Sequence, residues 1–329
     1  MNTVTDARTA TAASGPGASA VERSHICVCV CTYKRPLLLR RLLDDLSRQE
    51  TDGLFTYSIV VADNDRERSA EDTIAKARSE LGLRIKYCVE PRQNIALARN
   101  KVVQNAEGDY LAFIDDDEFP SRTWLLTLFK ALKEYDVDGI LGPVLRHFDE
   151  TPPKWIEKSR FYVRRVNPTG MKVQWQEART GNVLLKFSLV EGDDAPFRPE
   201  FRAGEDQDFF RRKIAEGRRF IWCAEAEAYE TVPPARWKRK YLLRKALLRG
   251  ATAGLHTNAI GVAKSLIAVP LYALLLPFAV LAGQQHLMAL LVKICDHLGK
   301  LLILVGINPI QEEYVLDEPQ AGSERSEVQ

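Results

Sequence analysis

The feature that most restricts the fold is a regular alternation of short apolar runs and helical segments across residues 26–142. Four of the segments have the period of amphipathic helices, and the first begins at Pro36, a residue that suits a helix start. Strands alternating with helices predict right-handed βαβ units and a mainly parallel sheet with helices on both faces. We therefore expect an α/β fold that binds ligands beyond the carboxyl ends of its strands. The apolar runs are ICVCVC, YSIVVAD, RIKYCVE, YLAFID and GILGPV.

Cysteines occupy every second position of the first run, at Cys27, Cys29 and Cys31. In an extended strand they would point to one face, with the isoleucine and valines between them on the other, so that both faces would be apolar. Metal-binding cysteines usually have C-x-x-C spacing, so a buried strand is favoured over a metal site. The six cysteines of the chain follow no disulfide-framework spacing, which favours a reducing compartment.

The net charge and the composition of the two chain ends further restrict the class of protein and its domain organisation. The net charge is +2 with 27% charged residues, which argues against a dedicated nucleic-acid partner. Residues 1–24 and 311–329 are polar and rich in small residues, and the first stretch lacks the apolar core of a signal peptide. We expect both to be disordered tails. Between them we expect one large domain at 25–235 and a distinct C-terminal part at 236–310.

Polar residues follow several predicted strands at the points where they end. Residues 115–118 read Asp-Asp-Asp-Glu directly after the apolar run YLAFI. Carboxylates this close repel one another by several kcal/mol unless a cation or solvent offsets the repulsion. A hard ion, Mg²⁺ or Mn²⁺, held together with a phosphate would do so; the alternative is a solvated acidic turn before a helix that starts near Ser121. The candidate binding residues at these strand ends are Thr32, Tyr33, Arg35, Asp63, Asp65, Asp115, Asp116 and Asp117.

Six motifs in a fixed order carry a resemblance to a known family: TYKRP, VVADND, NIALARN, FIDDDE, GNVLL and GEDQDFFRR. Over residues 25–240 the sequence resembles the family 2 glycosyltransferases, and within them the group that builds exopolysaccharides. The resemblance implies a GT-A fold, which is a Rossmann-like nucleotide-diphospho-sugar transferase fold, for residues 25–235. It also implies a UDP-linked sugar as donor and a divalent metal as cofactor.

The resemblance also assigns roles to the residues around the donor. Asp63 would accept hydrogen bonds from the nucleobase, and Asn94 with Arg99 would border the nucleotide pocket. Asp115 would face the ribose or a metal-bound water, and Asp117 would bind the ion that bridges the diphosphate. A metal at this place would act as a Lewis acid on the departing phosphate.

The motif GEDQDF supplies the candidate catalytic carboxylates, Glu205 and Asp206. By the resemblance, Asp206 is the general base. An inverting sugar transfer needs a carboxylate opposite the leaving diphosphate to take the proton of the acceptor hydroxyl. The alternative is a helix cap, since GED before an apolar run is also a capping signature. The two roles are compatible, because a helix start stabilises a carboxylate.

Glu230 stands where many family members carry a histidine that completes the metal shell. Its oxygens would suit Mg²⁺ or Mn²⁺, so we count it as a candidate metal ligand with Asp115 and Asp117. The alternative is that Glu230 forms a salt bridge with a nearby arginine.

Residues 148–180 form an insertion that contains Trp155, Phe161, Tyr162, Trp175 and several arginines. Aromatic rings stack on sugar faces and mobile loops close such sites, so the insertion could shape the acceptor side. A small apolar cluster under a loop explains it equally well.

The C-terminal part has the composition of a membrane-associated segment. Residues 236–249 hold seven basic residues and no acidic ones, which suits an anionic membrane surface better than a nucleic acid. Residues 265–283 carry no charge over nineteen positions, long enough to span a bilayer, although Pro270 and Pro277 leave a re-entrant segment as an alternative.

The last apolar segment, LMALLVKICDHLGKLLILVG, has two distinct faces. Lys293, Asp296, His297 and Lys300 gather on one face, which predicts an amphipathic helix in the membrane interface and disfavours His297 as a metal ligand. Basic residues on both sides of residues 265–283 predict, by the positive-inside rule, a catalytic domain on the cytoplasmic face of the inner membrane.

Together these features predict an inverting, metal-dependent enzyme of exopolysaccharide synthesis. It would move a hexose, glucose from UDP-glucose, to a lipid-linked saccharide at the membrane. The alternatives are a polyprenyl-phosphate sugar synthase, a two-metal nuclease and a non-catalytic membrane protein that binds nucleotide sugars.

Overall fold

The computed structural model describes residues 23–201, 204–254 and 257–307, and the two predicted tails lie almost wholly outside these ranges. The strands are β1 (Ser24–Thr32), β2 (Phe55–Asp63), β3 (Ile85–Val89), β4 (Tyr110–Ile114), β5 (Glu118–Pro120), β6 (Gly139–Leu141), β7 (Val144–His147), β8 (Asn182–Lys186), β9 (Phe220–Trp222) and β10 (Ala228–Thr231). The helices are α1 (Pro36–Leu46), α2 (Glu71–Leu81), α3 (Ile95–Asn105), α4 (Trp124–Tyr135), α5 (Lys154–Glu157), α6 (Glu205–Ala215), α7 (Arg239–Gly254), α8 (Ala259–Ala282) and α9 (Gln284–Leu304).

A seven-stranded sheet in the order β3-β2-β1-β4-β8-β6-β9 forms the centre of the domain. β1 pairs in parallel with β2 and β4, β2 with β3, and β6 with β9. β8 runs antiparallel between β4 and β6. The predicted mainly parallel α/β sheet is confirmed, and the motif GNVLL is its antiparallel strand. The run GILGPV is divided between β6 and the start of β7.

Both faces of β1 are buried, as the alternating pattern predicts. Ile26, Val28 and Val30 pack into a core with leucines of α1 and α4. Cys27 and Cys29 pack on the opposite face with alanines and valines of α3 and with Phe209 and Phe210 of α6. The cysteines of β1 are therefore strand packing residues, and the sheet lies between two layers of helices.

A small second sheet, in the order β5-β10-β7, lies at the carboxyl end of β4. β10 pairs antiparallel with β5, and this register sets Glu230 opposite Glu118. The backbone N–H of Thr231 also donates to the carbonyl of Asp117 at 3.0 Å. The chain segment that carries Glu230 is thereby fixed beside the acidic turn.

The C-terminal helices pack against one another through glycines. A Cβ atom at Gly250 of α7 would lie 2.1 Å from the carbonyl oxygen of Asp296, and one at Gly299 of α9 would lie 2.1 Å from that of Leu247. Glycine at these positions therefore allows α7 and α9 to approach backbone to backbone. Met288 of α9 also packs with Leu242 of α7 and with Ile156 of α5.

Helix α8 contains the predicted apolar segment and begins earlier than predicted. It runs from Ala259 to Ala282 without interruption through Pro270 and Pro277. Among the described residues it is the helix that is long and apolar enough to cross a membrane, and 11% of its apolar window is buried.

Two details of the C-terminal part differ from the sequence prediction. Arg236 lies before α7, in a 3₁₀ turn, and is 4% exposed. On the predicted polar face of α9, Asp296 pairs with Arg249 of α7, and His297 Nδ1 lies 2.9 Å from Ser265 Oγ of α8. Part of this face therefore contacts neighbouring helices rather than water, because α9 packs against both α7 and α8.

Candidate active site

A cavity of about 250 Å³ opens at the carboxyl ends of β1 and β4. It brings together most of the predicted binding residues, which come from separate parts of the sequence. Its lining includes Thr32, Tyr33, Arg35, Arg99, Asp115, Asp116, Asp117 and Glu230. The same cavity is lined by Asn64, Arg164, Arg236 and Lys245, which the sequence analysis did not single out.

Asp116 is the most firmly held member of the acidic turn. Its carboxylate accepts hydrogen bonds from Thr32 Oγ1 at 2.7 Å and from Arg35 Nη1 at 3.0 Å. Burial raises the pKa of Asp116 to about 6, although the charge of Arg35 opposes the shift. Through these two hydrogen bonds, Asp116 connects the acidic turn to the end of β1 and to the loop that follows β1.

Asp117 lies between two arginines. Its Oδ2 accepts from Arg236 Nη2 at 2.7 Å and lies 3.4 Å from Arg35 Nη1. Burial acts to raise the pKa of Asp117, but the guanidinium groups of Arg236 and Arg35 hold it below its usual value. Asp117 is therefore an ionised carboxylate in the wall of the cavity.

Asp115 is more exposed than Asp117. Its side chain is 45% exposed, against 11% for that of Asp117. Its Oδ1 lies 3.7 Å from Arg99 Nη2. A Cβ atom at Gly181 would lie 3.2 Å from Asp115 Oδ2 and 2.6 Å from Glu118 Oε1. A side chain at 181 would therefore displace these two carboxyl groups from their present positions.

Glu118 is the last residue of the acidic turn and is 3% exposed. Burial, with repulsion from Asp115 second, raises the pKa of Glu118 well above its usual value. Asp116 and Glu118 are thus buried in the protein, which disfavours the alternative of a fully solvated acidic turn.

The carboxylate oxygens of the acidic turn are of the donor type that a hard divalent ion takes. Within residues 23–201, 204–254 and 257–307, no three His, Cys, Asp or Glu side chains lie close enough to hold one ion. Mg²⁺ is commonly bound by one or two carboxylates and takes its other ligands from substrate phosphates and water. An ion bound by Asp115 and Asp117 together with a diphosphate stays a prediction, and it would require Asp117 Oδ2 to leave at least one of its arginine partners.

Glu230 forms salt bridges with arginines, which is the alternative to its predicted role as a metal ligand. Its carboxylate pairs with Arg164 and, at 2.7 Å, with Arg236 Nη1. Because Arg236 also binds Asp117, Glu230 orients an arginine of the cavity. A metal contact of Glu230 stays a prediction that would require these pairs to separate.

Asp63 and Asp65 support the loop after β2 and do not line the cavity. Asp63 is fully buried, and it accepts hydrogen bonds from Ala70 N at 2.8 Å, Tyr87 Oη at 2.9 Å and Asp65 N at 3.1 Å. Burial raises the pKa of Asp63. A nucleobase could reach Asp63 only if this network opened, so its predicted role stays a prediction. Asp65 Oδ2 is buried without a partner among the described residues.

Asn94 is the residue that precedes α3, and Arg99 lies in the second turn of this helix. Asn94 Oδ1 caps the helix by accepting from Ala96 N at 2.9 Å and Leu97 N at 3.2 Å. Arg99, 7% exposed, forms a buried ion pair with Glu205 of α6 and faces Asp115. Arg99 therefore connects the acidic turn to the helix that carries the predicted base.

Asp206 lies in the first turn of α6, where its Oδ1 accepts from Gln207 N at 2.7 Å. It lines a second cavity of about 910 Å³ that shares Ile95 and Lys245 with the first. The N-terminus of a helix favours negative charge nearby. Capping and proton transfer are thus both open to Asp206.

Comparison with known proteins connects this geometry to a family. The family model described as glycosyl transferase family 2 matches residues 27–189. The chain is 33% identical to the succinoglycan biosynthesis protein ExoM of Rhizobium meliloti (strain 1021), over 71% of this chain and 75% of that protein.

Solved structures agree on the fold. The mannosyltransferase PcManGT from Pyrobaculum calidifontis, in complex with GDP-Man and Mn²⁺, superposes with a TM-score of 0.58 at 18% identity, over 85% of this chain and 88% of that one. TarS 1–349 from S. aureus, in complex with UDP, gives a TM-score of 0.50 at 16% identity, over 85% and 91% of the two chains.

The sheet, its acidic edge and these superpositions define an enzyme of the GT-A fold class. With the match to ExoM, the chain belongs to glycosyltransferase family 2, and it is a glycosyltransferase.

Proposed function

We propose that the protein is an inverting glycosyltransferase of polysaccharide synthesis that transfers glucose from UDP-glucose to a lipid-linked saccharide. The observation that carries the proposal is the placement of Asp115 and Asp117 in one cavity and Asp206 in the adjoining one. The name of the relative ExoM supports a role in making an exopolysaccharide.

In the proposed complex, the nucleotide diphosphate lies over the acidic turn. Asp115 and Asp117 would hold Mg²⁺ or Mn²⁺, which supplies Lewis-acid stabilisation of the leaving phosphate. Arg35, Arg236 and Lys245 line the same cavity and add positive charge beside the diphosphate. Thr32 and Tyr33 at the end of β1 would contact the nucleotide.

The proposed chemical step uses Asp206 as general base. Its carboxylate takes the proton of the acceptor hydroxyl, while that oxygen forms a bond to the anomeric carbon of the donor sugar. The bond from the anomeric carbon to the phosphate oxygen breaks on the opposite side, so the configuration inverts. The pair of Arg99 with Glu205 connects the start of α6 to α3.

The membrane part supports a lipid-linked acceptor. Helix α8 presents an apolar surface and packs against α9, which in turn packs against α7; Lys245 and Arg249 of α7 line the cavity of Asp206. On the cytoplasmic face of the inner membrane, the site would receive UDP-glucose from the cytosol and the acceptor from the bilayer. A polyprenyl phosphate as direct acceptor is distinguished by the lipid product, which would then carry a single labelled sugar.

The test is transfer of label from UDP-glucose into membrane lipid with Mg²⁺ or Mn²⁺ present. We expect Asp206→Asn to lower kcat by about 10²–10⁴-fold while UDP still binds. Asp194→Asn, a similar change at an exposed loop position, should leave transfer near the wild-type rate. Full transfer by Asp206→Asn would contradict the assignment of the base. An inactive wild type that also fails to bind UDP would contradict the proposed function.

A further inference from the structure

Helices α7 and α9 precede and follow α8 in the sequence, and they pack directly against each other. Leu242 packs with Met288 near the starts of the two helices. Further along, Gly250 lies against the carbonyl oxygen of Asp296, which also pairs with Arg249 through its side chain. The contacts advance together along both helices, so α7 and α9 run parallel and touch over much of their length.

Helix α7 lies along the catalytic part of the chain. Lys245 and Ala253, about two turns apart, both line the cavity of Asp206. The helix also carries five basic residues between Arg239 and Arg249 and no acidic one. A helix with these charges is costly in the apolar part of a bilayer. Helix α7 therefore stays on the same side of a membrane as the catalytic part, and α9 stays there with it.

A single crossing of the membrane by α8 would separate α7 from α9. It would place α9 on the face opposite to α7, and their backbone contact cannot form across an apolar layer about 30 Å thick. A crossing by α8 and α9 together would put Lys293 and Asp296 of α9 into the bilayer and draw α7 in with them. A re-entrant path would need a break in α8, which is one helix from Ala259 to Ala282.

The side chains of α8 divide into a protein-facing side and an exposed side. Ser265 and Ala279 are buried, and Ser265 Oγ lies 2.9 Å from His297 Nδ1 of α9. With 3.6 residues per turn, the exposed apolar side chains cover more than half of the circumference of α8. They include Leu266, Leu271, Leu274, Leu275, Val280 and Leu281.

An apolar surface of this width fits lipid better than a protein partner. A second copy of the chain or a partner helix would cover one stripe of α8, whereas lipid chains cover an apolar face of any width. The exposed charges nearby are also complementary to anionic headgroups. Lys264 of α8 and Lys293 of α9 are exposed, whereas Asp296 is paired with Arg249.

We propose that α8 lies in the plane of the membrane, embedded in one leaflet, with α9 between it and α7 and with both of its ends on the same face. The inference goes beyond the proposed function, because it holds for any donor and acceptor. Length and composition alone also suit a spanning helix. The contact of α7 with α9 is what distinguishes the two arrangements.

The first experiment measures the depth of three positions on the exposed side of α8. Ile267→Cys, Leu274→Cys and Leu281→Cys, seven residues apart, each carry a nitroxide in the full chain, in vesicles of phosphatidylethanolamine and phosphatidylglycerol. Access of oxygen relative to a nickel chelate reports the depth of each label. We expect the three depths to agree within about 3 Å, near the boundary of headgroups and acyl chains. A spanning α8 would instead place the outer two labels about 10 Å nearer to opposite surfaces than Leu274→Cys, which would overturn the inference.

Leu54→Cys is the matched control, because Leu54 is an exposed leucine beside the start of β2, at the edge of the sheet opposite the cavities. Its label should be open to the nickel chelate. The unsubstituted chain, treated alike, gives the contribution of the native cysteines. Labels on α8 that are open to the nickel chelate would place α8 outside the bilayer, and labels shielded from both reagents would indicate a protein partner. Either result would overturn the inference.

The second experiment compares the faces on which the chain lies before and after α8. Lys240→Cys in α7 and His286→Cys in α9, both at exposed positions, react with a membrane-impermeant maleimide in right-side-out and inside-out vesicles. We expect labelling of both from the same face, and labelling from opposite faces would contradict an in-plane α8. Thermal unfolding in detergent shows that each variant is folded. Neither experiment measures transfer, so an inactive wild type would overturn the proposed function and leave this inference standing.

Discussion

At the scale of single residues, the acidic edge of the sheet is stabilised by arginines from four distant parts of the chain. These are Arg35 after β1, Arg99 in α3, Arg164 in the insertion and Arg236 before α7. Each pairs with a carboxylate of the site. The positive charge of this cavity is therefore assembled only when the whole domain has folded.

The hydrogen bond between Tyr87 and Asp63 should give a stability difference that depends on pH. Tyr87→Phe removes a donor to a buried carboxylate, and we expect a loss of about 1.5–3 kcal/mol at neutral pH. Burial raises the pKa of Asp63, so the folded protein takes up this proton as the pH falls from neutrality. Once Asp63 is neutral, the bond is no longer charge-assisted and the loss should shrink.

Tyr57→Phe is the matched control for this pH dependence. Tyr57 Oη donates to the neutral carbonyl of Leu46 at 2.7 Å, so its removal should cost about 1 kcal/mol at every pH. Urea unfolding of both variants at several pH values measures the difference. A loss in Tyr87→Phe that stays constant from neutral to acid pH would contradict an ionised Asp63.

The buried pair of Arg99 with Glu205 should show strong coupling. Arg99→Met leaves the Glu205 carboxylate buried without its partner, and we expect a loss of about 3–5 kcal/mol in the free energy of unfolding. The double variant Arg99→Met/Glu205→Leu removes both charges and should recover most of that loss. Urea unfolding of the two single variants and the double variant measures the coupling, and losses that simply add would show that the pair is not coupled.

At the scale of elements, the sequence predicts the long strands and helices well because their periodicity reflects burial. Both faces of β1 are buried and all of YLAFI is buried, so their patterns are unambiguous. The small sheet of β5, β7 and β10 could not be predicted, because strands of three and four residues have no measurable period. The antiparallel direction of β8 is set by pairing partners that are distant in sequence.

The backbone contact between α7 and α9 should be sensitive to one methyl group. In Gly299→Ala, the added Cβ would meet the carbonyl of Leu247, which cannot move without shifting α7. We expect a loss of about 1–3 kcal/mol and lower transfer activity, since α7 also lines the cavities.

Gly254→Ala provides the comparison for this change. The added Cβ would lie 2.3 Å from Ile303 Cγ2, and its nearest backbone atom would be the carbonyl oxygen of Lys300 at 3.0 Å, against 2.1 Å for that of Leu247 at Gly299. Because the backbone would have to move less, we expect a smaller loss. Thermal unfolding in detergent measures both variants. Equal losses would show that the backbone approach at Gly299 is not the sensitive contact.

At the scale of the whole molecule, the predicted catalytic part and the C-terminal helices are less separate than the sequence suggests. Basic residues at 236–249 indicate a membrane-facing surface when read by composition alone. In the structure Arg236 binds Asp117, and Lys245 lines both the cavity of the acidic turn and the cavity of Asp206. These roles depend on tertiary contacts with residues more than a hundred positions away, which no local pattern records.

Helix α8 should retain the full chain in the membrane fraction. Its exposed apolar side chains, including Leu274, Phe278 and Leu281, would be covered by lipid. We expect detergent to release the protein, whereas high salt and alkaline carbonate should not. Leu274→Arg/Phe278→Arg should weaken this retention, because charges are costly within the bilayer. Release of the wild-type chain by salt alone would contradict an inserted α8 and favour surface binding through basic residues.

The continuity of α7 sets a fixed reach for the enzyme. Nine helical steps separate Lys245, at the junction of the cavities, from Gly254 at the helix end, which corresponds to about 14 Å. Because an α-helix is rigid, the distance between Lys245 and the end of α7 is fixed. Under the proposed function, this distance would limit how far the cavities stand from the part of the chain that enters the membrane.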